Sequence, residues 1–428
     1  MHSQLPHTLQ PEEPTPLIIP RADHPISRKK IDRNALKIMY RLKDHGYLAY
    51  LVGGAVRDLL LGRQPADFDI ATDAKPAQIK KLFRNSRIIG RRFRLAHIFF
   101  TDRITGRQQI IEVATFRKKL MIDEKNLEVV TAKPTMMNNT YGTPAEDVQR
   151  RDFTINALFY SLDRFKVIDY LGGLEDLEDG IVRIIGDPYE RLIEDPVRIL
   201  RAMEFSCRLG FTLEEQTLKA MQFHAPLLKE VSPSRMHEEL RGLYTKGTTS
   251  AMLDLASKLG IISSWLPYPT ATMLSQTRQL MQKMEGFFSP ATNEQQLESL
   301  IVTSLLLPEV VNRCGISPAP PLHQVNEAIE LLLHPLNDCL HLPRYQRHRV
   351  REIIIGIFRL CSGDKRIKKL KKRPNFYLSL FFFIQLGREY PKELGKTIGF
   401  WHKQVSRWPA TKDDQVVDPK LMFSDQRH

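Results

Sequence analysis

The most constraining feature of this 428-residue chain is a change of rhythm near residue 180. Up to about residue 165, short runs of β-branched and aromatic residues read as strands: "YLAYLVGG", "DFDIAT", "RIIG", "RLAHIFF" and "QIIEVATF". Helical stretches lie between and before them. Ile31, Leu36, Ile38, Met39 and Leu42 recur at helical spacing ahead of Gly46, and "AVRDLLLG" and "AKPAQIKKLFRN" follow the same rule. After Gly180 the strand signal fades into helical segments such as "PVRILRAMEFSCRLG" and "SRMHEELRGLYTKG", punctuated by proline and glycine. The two halves together predict an α+β fold: a head with a mostly antiparallel sheet, then all-helical neck and body domains. The expected divisions are a proline-rich disordered leader over 1–25, the head over 26–165, the neck over 166–250, the body over 251–409 and a polar tail over 410–428.

Composition narrows the partners. Hydrophobic residues make up 42% of the chain, enough for real cores, and the formal net charge is +14, a surplus that favours polyanions. The four cysteines are far apart and form no CxxC pair, which argues against a structural zinc site and a disulfide framework and for a reducing cytoplasm. The first twenty residues carry prolines and acids where a secretory signal needs basic charge and an apolar run. The most apolar later run, "FYLSLFFFIQLG", is too short to span a bilayer and reads as a buried helix, so no membrane association is expected.

The segment "YLVGGAVRDLLLGRQPADFDIATDA" concentrates the chemistry. Gly53 and Gly54 sit between a strand and a helix, where bare backbone lets N–H groups approach a phosphate. Arg57, one turn on, can fork two phosphate oxygens. Asp67 and Asp69 point to one face of a strand, about 6.5–7 Å apart. Two carboxylates so placed repel by roughly 2–3 kcal/mol at a dielectric near 20 unless a cation occupies the gap. Hard oxygen donors beside a phosphate suit Mg²⁺ as the cofactor, with Mn²⁺ the alternative. Glu112, an acid within the apolar "QIIEVATF", needs a partner, and a neighbouring strand can bring it beside the two aspartates. Metals held there would activate an attacking hydroxyl and stabilise a leaving pyrophosphate.

With "RRDFTINAL" (Arg150 to Leu158) and "EDPVRILRAMEF" (Glu194 to Phe205), this segment resembles the class II nucleotidyltransferases, which comprise bacterial poly(A) polymerases and CCA-adding enzymes. The resemblance covers roughly residues 26–250 and makes the head a nucleotidyltransferase domain. It places Arg150, Arg151 and Asn156 at the nucleotide, treats Asp152 as an active-site carboxylate, and assigns base reading to Asp195 and Arg198, with Arg201 nearby. An acceptor beside a donor matches the Watson–Crick edges of adenine and cytosine and mismatches guanine and uracil. "GRRFRLAHI" is similar to the poly(A) polymerase version of its stretch, whereas Ala55 stands where those polymerases often have a third glycine, as many CCA-adding enzymes do. The implied activity is template-independent addition of AMP from ATP to RNA 3′ ends. The alternatives are a CCA-adding enzyme and a catalytically silent RNA-binding adaptor.

An RNA path is expected along the basic run "DKRIKKLKKRPNF", with Lys368, Lys369, Lys371 and Lys372, and along Arg91, Arg92 and Arg94. His97 reads as a core or surface histidine. "HEEL" at His237 lacks the second ligand of a zinc helix, because position 241 is Arg.

Overall fold

The computed structural model describes residues 15–90, 94–101, 106, 108–118, 141–244, 248–264, 266–267, 270–285, 294–340, 342–363, 367–373 and 375–405. Residues 1–14, Arg91, Arg92, the side chain of Lys368 and the tail over 410–428 lie outside this description.

The chain divides into two compact units, Met1–Arg191 with Phe211–Leu218, and Leu192–Gly210 with Lys219–His428. The first is built on eight strands: β1 (Leu17–Ile19), β2 (Ala49–Val52), β3 (Asp69–Thr72), β4 (Ser86–Ile89), β5 (Leu95–Thr101), β6 (Gln108–Thr115), β7 (Phe159–Ser161) and β8 (Val167–Asp169). They form one sheet in the order β1-β8-β7-β2-β3-β6-β5-β4. Every neighbouring pair is antiparallel except β3 and β6.

Helix α1 (Arg33–Asp44) packs on β2 and β3 and buries Ala35, Ile38, Met39 and Leu42. Asp32 caps it by accepting from Asn34 N at 2.7 Å and Ala35 N at 3.0 Å, and Gly46 at φ +81° lets the chain turn away. On another face of the sheet, Val52 and Ala71 join a cluster with Phe116, Val148, Ala157, Phe159, Ile168 and Ile185. Around the sheet lie α2 (Gly54–Leu60), α3 (Pro76–Leu82), α4 (Pro144–Val148) and α5 (Gly173–Asp179), and the parallel pair β9 (Ile181–Val182) and β10 (Thr212–Leu213).

Two expectations are corrected. Residues 17–19 are a strand registered on β8, Leu17 opposite Asp169, so ordered structure begins well before residue 26. Backbone hydrogen bonding outweighs the proline-rich composition there. The head also runs past residue 165: β8 completes the hairpin begun by β7, and the first unit continues to Arg191.

Helix α6 (Pro188–Glu194) leads into the second unit. Its helices are α7 (Arg198–Leu209), α9 (Pro233–Tyr244), α10 (Thr249–Lys258), α11 (Ala271–Glu285), α12 (Glu294–Cys314), α13 (Leu322–Leu340), α14 (Arg344–Cys361), α15 (Ile367–Lys371), α16 (Phe376–Glu389) and α17 (Pro391–Val405), with α8 (Glu215–His224) starting in the first unit. The expected buried helix is α16, with Phe381, Phe382 and Phe383 fully buried, and Trp401 of α17 lies 5.9 Å from Phe376. Burial pushes the Cys207 thiol up to about 11 and Cys361 to about 12, which favours the neutral thiol in both. Among the described residues no helix is long and apolar enough to cross a membrane.

Candidate active site

Strand order assembles the acidic residues. β2 ends at Val52, and Gly53 turns the chain with φ +66° and ψ −135°, a conformation that costs little only without a Cβ. Antiparallel pairing sets Val52 opposite Asp69. β6 runs parallel to β3 with Ile70 beside Val113, so one step back in each strand sets Asp69 beside Glu112. The structure thus brings Asp67, Asp69 and Glu112 to the sheet end that carries the glycine turn.

The charges feel one another. Asp69 is exposed at its surface, yet protein surrounds enough of its carboxyl that desolvation, then Glu112, then Asp67, push it up to about 6 against the pull of Arg151. In the metal-free protein this has a stability consequence. Folded Asp69 keeps its proton to about 6, whereas the unfolded group releases it near 3.8. The folded state therefore binds more protons in that window, and stability to urea should fall as pH rises through it. Asp69→Asn should flatten that slope; equal slopes in both proteins would reject the electrostatic reading.

Among the described residues no three His, Cys, Asp or Glu side chains converge tightly enough to hold a metal unaided. Two carboxylates with mutual repulsion to relieve are still a fit for Mg²⁺, which commonly takes one or two protein carboxylates and completes its shell with phosphate and water.

Opposite in sign is a group of arginines the motifs only partly announced. Asp147 accepts from Arg151 Nη2 at 3.0 Å and lies 3.6 Å from Arg150 Nη1. It also accepts from the Arg117 backbone N–H at 3.1 Å. Arg191 Nη2 donates to the carbonyls of Arg150 at 3.1 Å and Arg151 at 2.6 Å, fixing the "RRDF" segment. Burial and mutual repulsion lower the pKa of Arg117 and Arg150, a cost that a bound polyanion would offset. The Arg151 guanidinium carbon lies 5.3 Å from the Phe159 ring centroid, and Arg151 Nη1 is 3.4 Å from where a Cβ on Gly53 would stand.

Arg57 differs from expectation. Instead of projecting as a phosphate fork it is 3% exposed, donating through Nη1 to Asn156 Oδ1 at 2.6 Å and through Nε to Asp58 Oδ1 at 2.8 Å. Asn156 in turn donates to Asp152 Oδ1 at 3.1 Å, and Asp152 also accepts from Phe153 N at 2.8 Å. Asp152, Asn156 and Arg57 thus form a buried brace that ties the glycine turn to the "RRDF" segment. Gly54 belongs to the brace, since a Cβ there would stand 3.3 Å from Arg57 Nη2.

His97, which the sequence presents as a core or surface histidine, stands against the acidic site. It is the register partner of Glu112, and its Nε2 lies 3.2 Å from Glu112 Oε1. The only signal available was the shared alternation of "RLAHIFF" and "QIIEVATF". Arg94 is exposed, and its carbonyl accepts from Arg117 Nη2 at 3.1 Å.

In the second unit, Asp195 does not cap α7; Val197 holds that place without a side-chain bond. The Asp195 carboxylate lies 3.5 Å from Arg235 Nη2, and Arg235 lies 3.1 Å from Glu239. Arg198 is 3.7 Å from Glu194. Burial raises the Glu239 carboxyl while Arg201 and Arg235 draw it down, so these residues form one mixed-charge cluster drawn from the end of α6, α7 and α9. Lys369 and Lys372 are exposed and Lys371 half-buried, at and just beyond α15.

A glycine turn on a sheet end with paired strand carboxylates and clustered arginines defines a nucleotidyltransferase head. Residues 49–183 match the family described as Poly A polymerase head domain, and residues 210–273 match "Probable RNA and SrmB- binding site of polymerase A". Over these residues the chain is similar to the class II family of poly(A) polymerases and tRNA nucleotidyltransferases. It is 49% identical over 240 residues to Poly(A) polymerase I of Escherichia coli O6:H1, covering 55% of this chain and 50% of that protein. It is 38% identical over 293 residues to Poly(A) polymerase I of Haemophilus influenzae, covering 68% and 64%. The alignments thus span only half to two-thirds of those relatives' length. In fold it is similar to a Thermotoga maritima CCA-adding enzyme complexed with tRNA, with TM-score 0.53, 21% identity, and 81% and 74% of the two chains covered.

Proposed function

We propose that the chain is a template-independent polynucleotide adenylyltransferase that transfers AMP from ATP to RNA 3′ ends and releases pyrophosphate. The observation that carries this reading is the placement of Asp69 beside Glu112, next to the Gly53–Gly54 turn and within the field of Arg151. In it, Asp67 and Asp69 hold Mg²⁺ or Mn²⁺, which would make the RNA 3′-hydroxyl a better nucleophile and neutralise the leaving group. Arg150 and Arg151 bind the triphosphate, and Gly53 lets the backbone approach it. Arg57, Asn156 and Asp152 hold that cradle rigid, so that the α-phosphate meets the hydroxyl in line. Glu112, oriented by His97, completes the negative side of the site. Asp195 and Arg198 carry base selection, with Arg201 as their neighbour. We also assign the helices up to about residue 250 to a neck, those beyond to an RNA-binding body, and the protein to the cytoplasm, with which four free thiols are compatible.

The second reading, a CCA-adding enzyme, is favoured by Ala55 and by an Asp–Arg pair that accepts cytosine as well as adenine. End-labelled RNA should be extended with each of the four nucleotides alone, using an unstructured RNA and a tRNA lacking its 3′ end. Extension of both with ATP, and at least about 10²-fold faster than with GTP or UTP, is the expected result. CTP incorporation confined to tRNA rejects it in favour of the second reading. Binding without any extension leaves a silent adaptor.

A further inference from the structure

We infer that the groove between α13 and α14 is a track for the phosphodiester backbone of single-stranded RNA. Arg344, Arg347, His348 and Arg351 are spaced i, i+3, i+4 and i+7 on α14, which places them on one face of the helix. With His334 and Asn337 of α13 they line a cavity of about 460 Å³. Its charge is one-sided: three guanidinium groups face one carboxylate, Glu330, which pairs with Arg351. Among the described residues nothing accepts from Arg347 Nε or Arg351 Nε, although both atoms are buried. A buried guanidinium N–H without an acceptor is costly, and a phosphate oxygen entering the cavity removes that cost.

The same face continues along α14. Phe358, Arg359 and, just past the helix end, Ser362 line a second cavity of about 290 Å³, closed by Leu322 of α13 and carrying Lys369 and Arg373. From Arg344 to Ser362 the helix rise amounts to about 27 Å. Two cationic cavities on one continuous face fit a ligand whose charge repeats along its length. Packed helices stand only about 8–10 Å apart, so the groove between them suits one strand and excludes a duplex. Planar guanidinium forks match phosphate oxygens better than they match a run of flexible carboxylate side chains. The inference takes RNA as the substrate from the proposed function and adds where its backbone lies. It also draws Lys369 into a defined site.

Binding of a labelled unstructured RNA is measured by fluorescence anisotropy across a salt series, without ATP or divalent metal. Arg347→Gln/Arg351→Gln should weaken it at least tenfold near 0.1 M salt. The slope of log affinity on log salt should become shallower by about 1.4, which is two phosphates at about 0.7 each. Arg344→Glu, at the exposed rim, gives a second measurement that does not depend on tolerance of the buried changes; its slope should become shallower by at least about 0.7. ATP affinity should stay unchanged in both. Unchanged RNA affinity and slope in the folded variants overturn the inference. So does a poly-glutamate of matched charge that binds more tightly than RNA with the same dependence on these arginines. Wild-type protein that shows the groove-dependent slope but adds no nucleotide keeps the RNA track and removes the polymerase reading.

Discussion

Asp69→Asn should slow nucleotide addition to RNA by about 10³-fold or more while leaving the fold intact. The substitution keeps the size and polarity of the side chain and removes the charge that a bound cation would need. It also removes the desolvation and the repulsion from Glu112 and Asp67 that together push this carboxyl up to about 6, so the metal-free variant should be at least as stable as the parent near neutral pH. Loss of rate with retained or increased stability is the signature of a group kept for chemistry at a cost in folding. Single-turnover extension at saturating ATP and RNA, set beside a urea melt of the same samples, measures both quantities. A variant that keeps a tenth of the parental rate would remove Asp69 from the reaction.

Gly53→Ala should cost about 1–3 kcal/mol of stability and about 10²-fold in rate. At φ +66° and ψ −135° a residue with a Cβ is strained, and because that Cβ would touch Arg151 Nη1 at 3.4 Å, any shift of the turn reaches a guanidinium assigned to the triphosphate. Two neighbours separate these contributions. Gly54→Ala has no unusual φ to pay for, and its Cβ, 3.3 Å from Arg57 Nη2, asks the buried guanidinium to give by only a few tenths of an ångström, so the loss should be smaller. Gly46→Ala shares the positive φ, +81°, but faces open space at the opposite end of β2 from the turn; it should lose stability and keep its rate. Thermal melts and steady-state kinetics on the three variants test the order. A Gly46→Ala protein as slow as Gly53→Ala would show that global destabilisation, not the cradle, sets the rate.

What could be read from the sequence, and what could not, divides along the range of the interactions. Asp67, Asp69 and Glu112 were legible because a carboxylate inside an apolar strand is anomalous within a few residues of itself. Helix α1, its end at Gly46 and the buried α16 were legible for the same reason: spacing is local information. Arg57 was misplaced because spacing gives the side of a helix but not which partner waits there, and Asn156 stands 99 residues away. His97, Arg117, Asp147 and Arg191 gain meaning only through partners in other elements. The strand over 17–19 was hidden by the prolines around it, since composition records average tendency and an edge strand needs only three residues of pairing. The α14 face is weakly marked in the sequence, because four residues at helical spacing carry less local charge than the densest basic run yet direct it into one groove.

Within the eight-stranded sheet, β3 and β6 are the one parallel pair, and Asp69 and Glu112 depend on it. Parallel partners cannot be joined by a tight hairpin, so the β5–β6 ladder can zip early whereas this pairing must wait for a distant stretch of chain to arrive. A partly folded head would carry its carboxylates separately, each with ordinary affinity for cations. The carboxylate pair therefore exists only once β3 and β6 have met, whereas the β2–β7 and β1–β8 pairings wait on still longer stretches of chain.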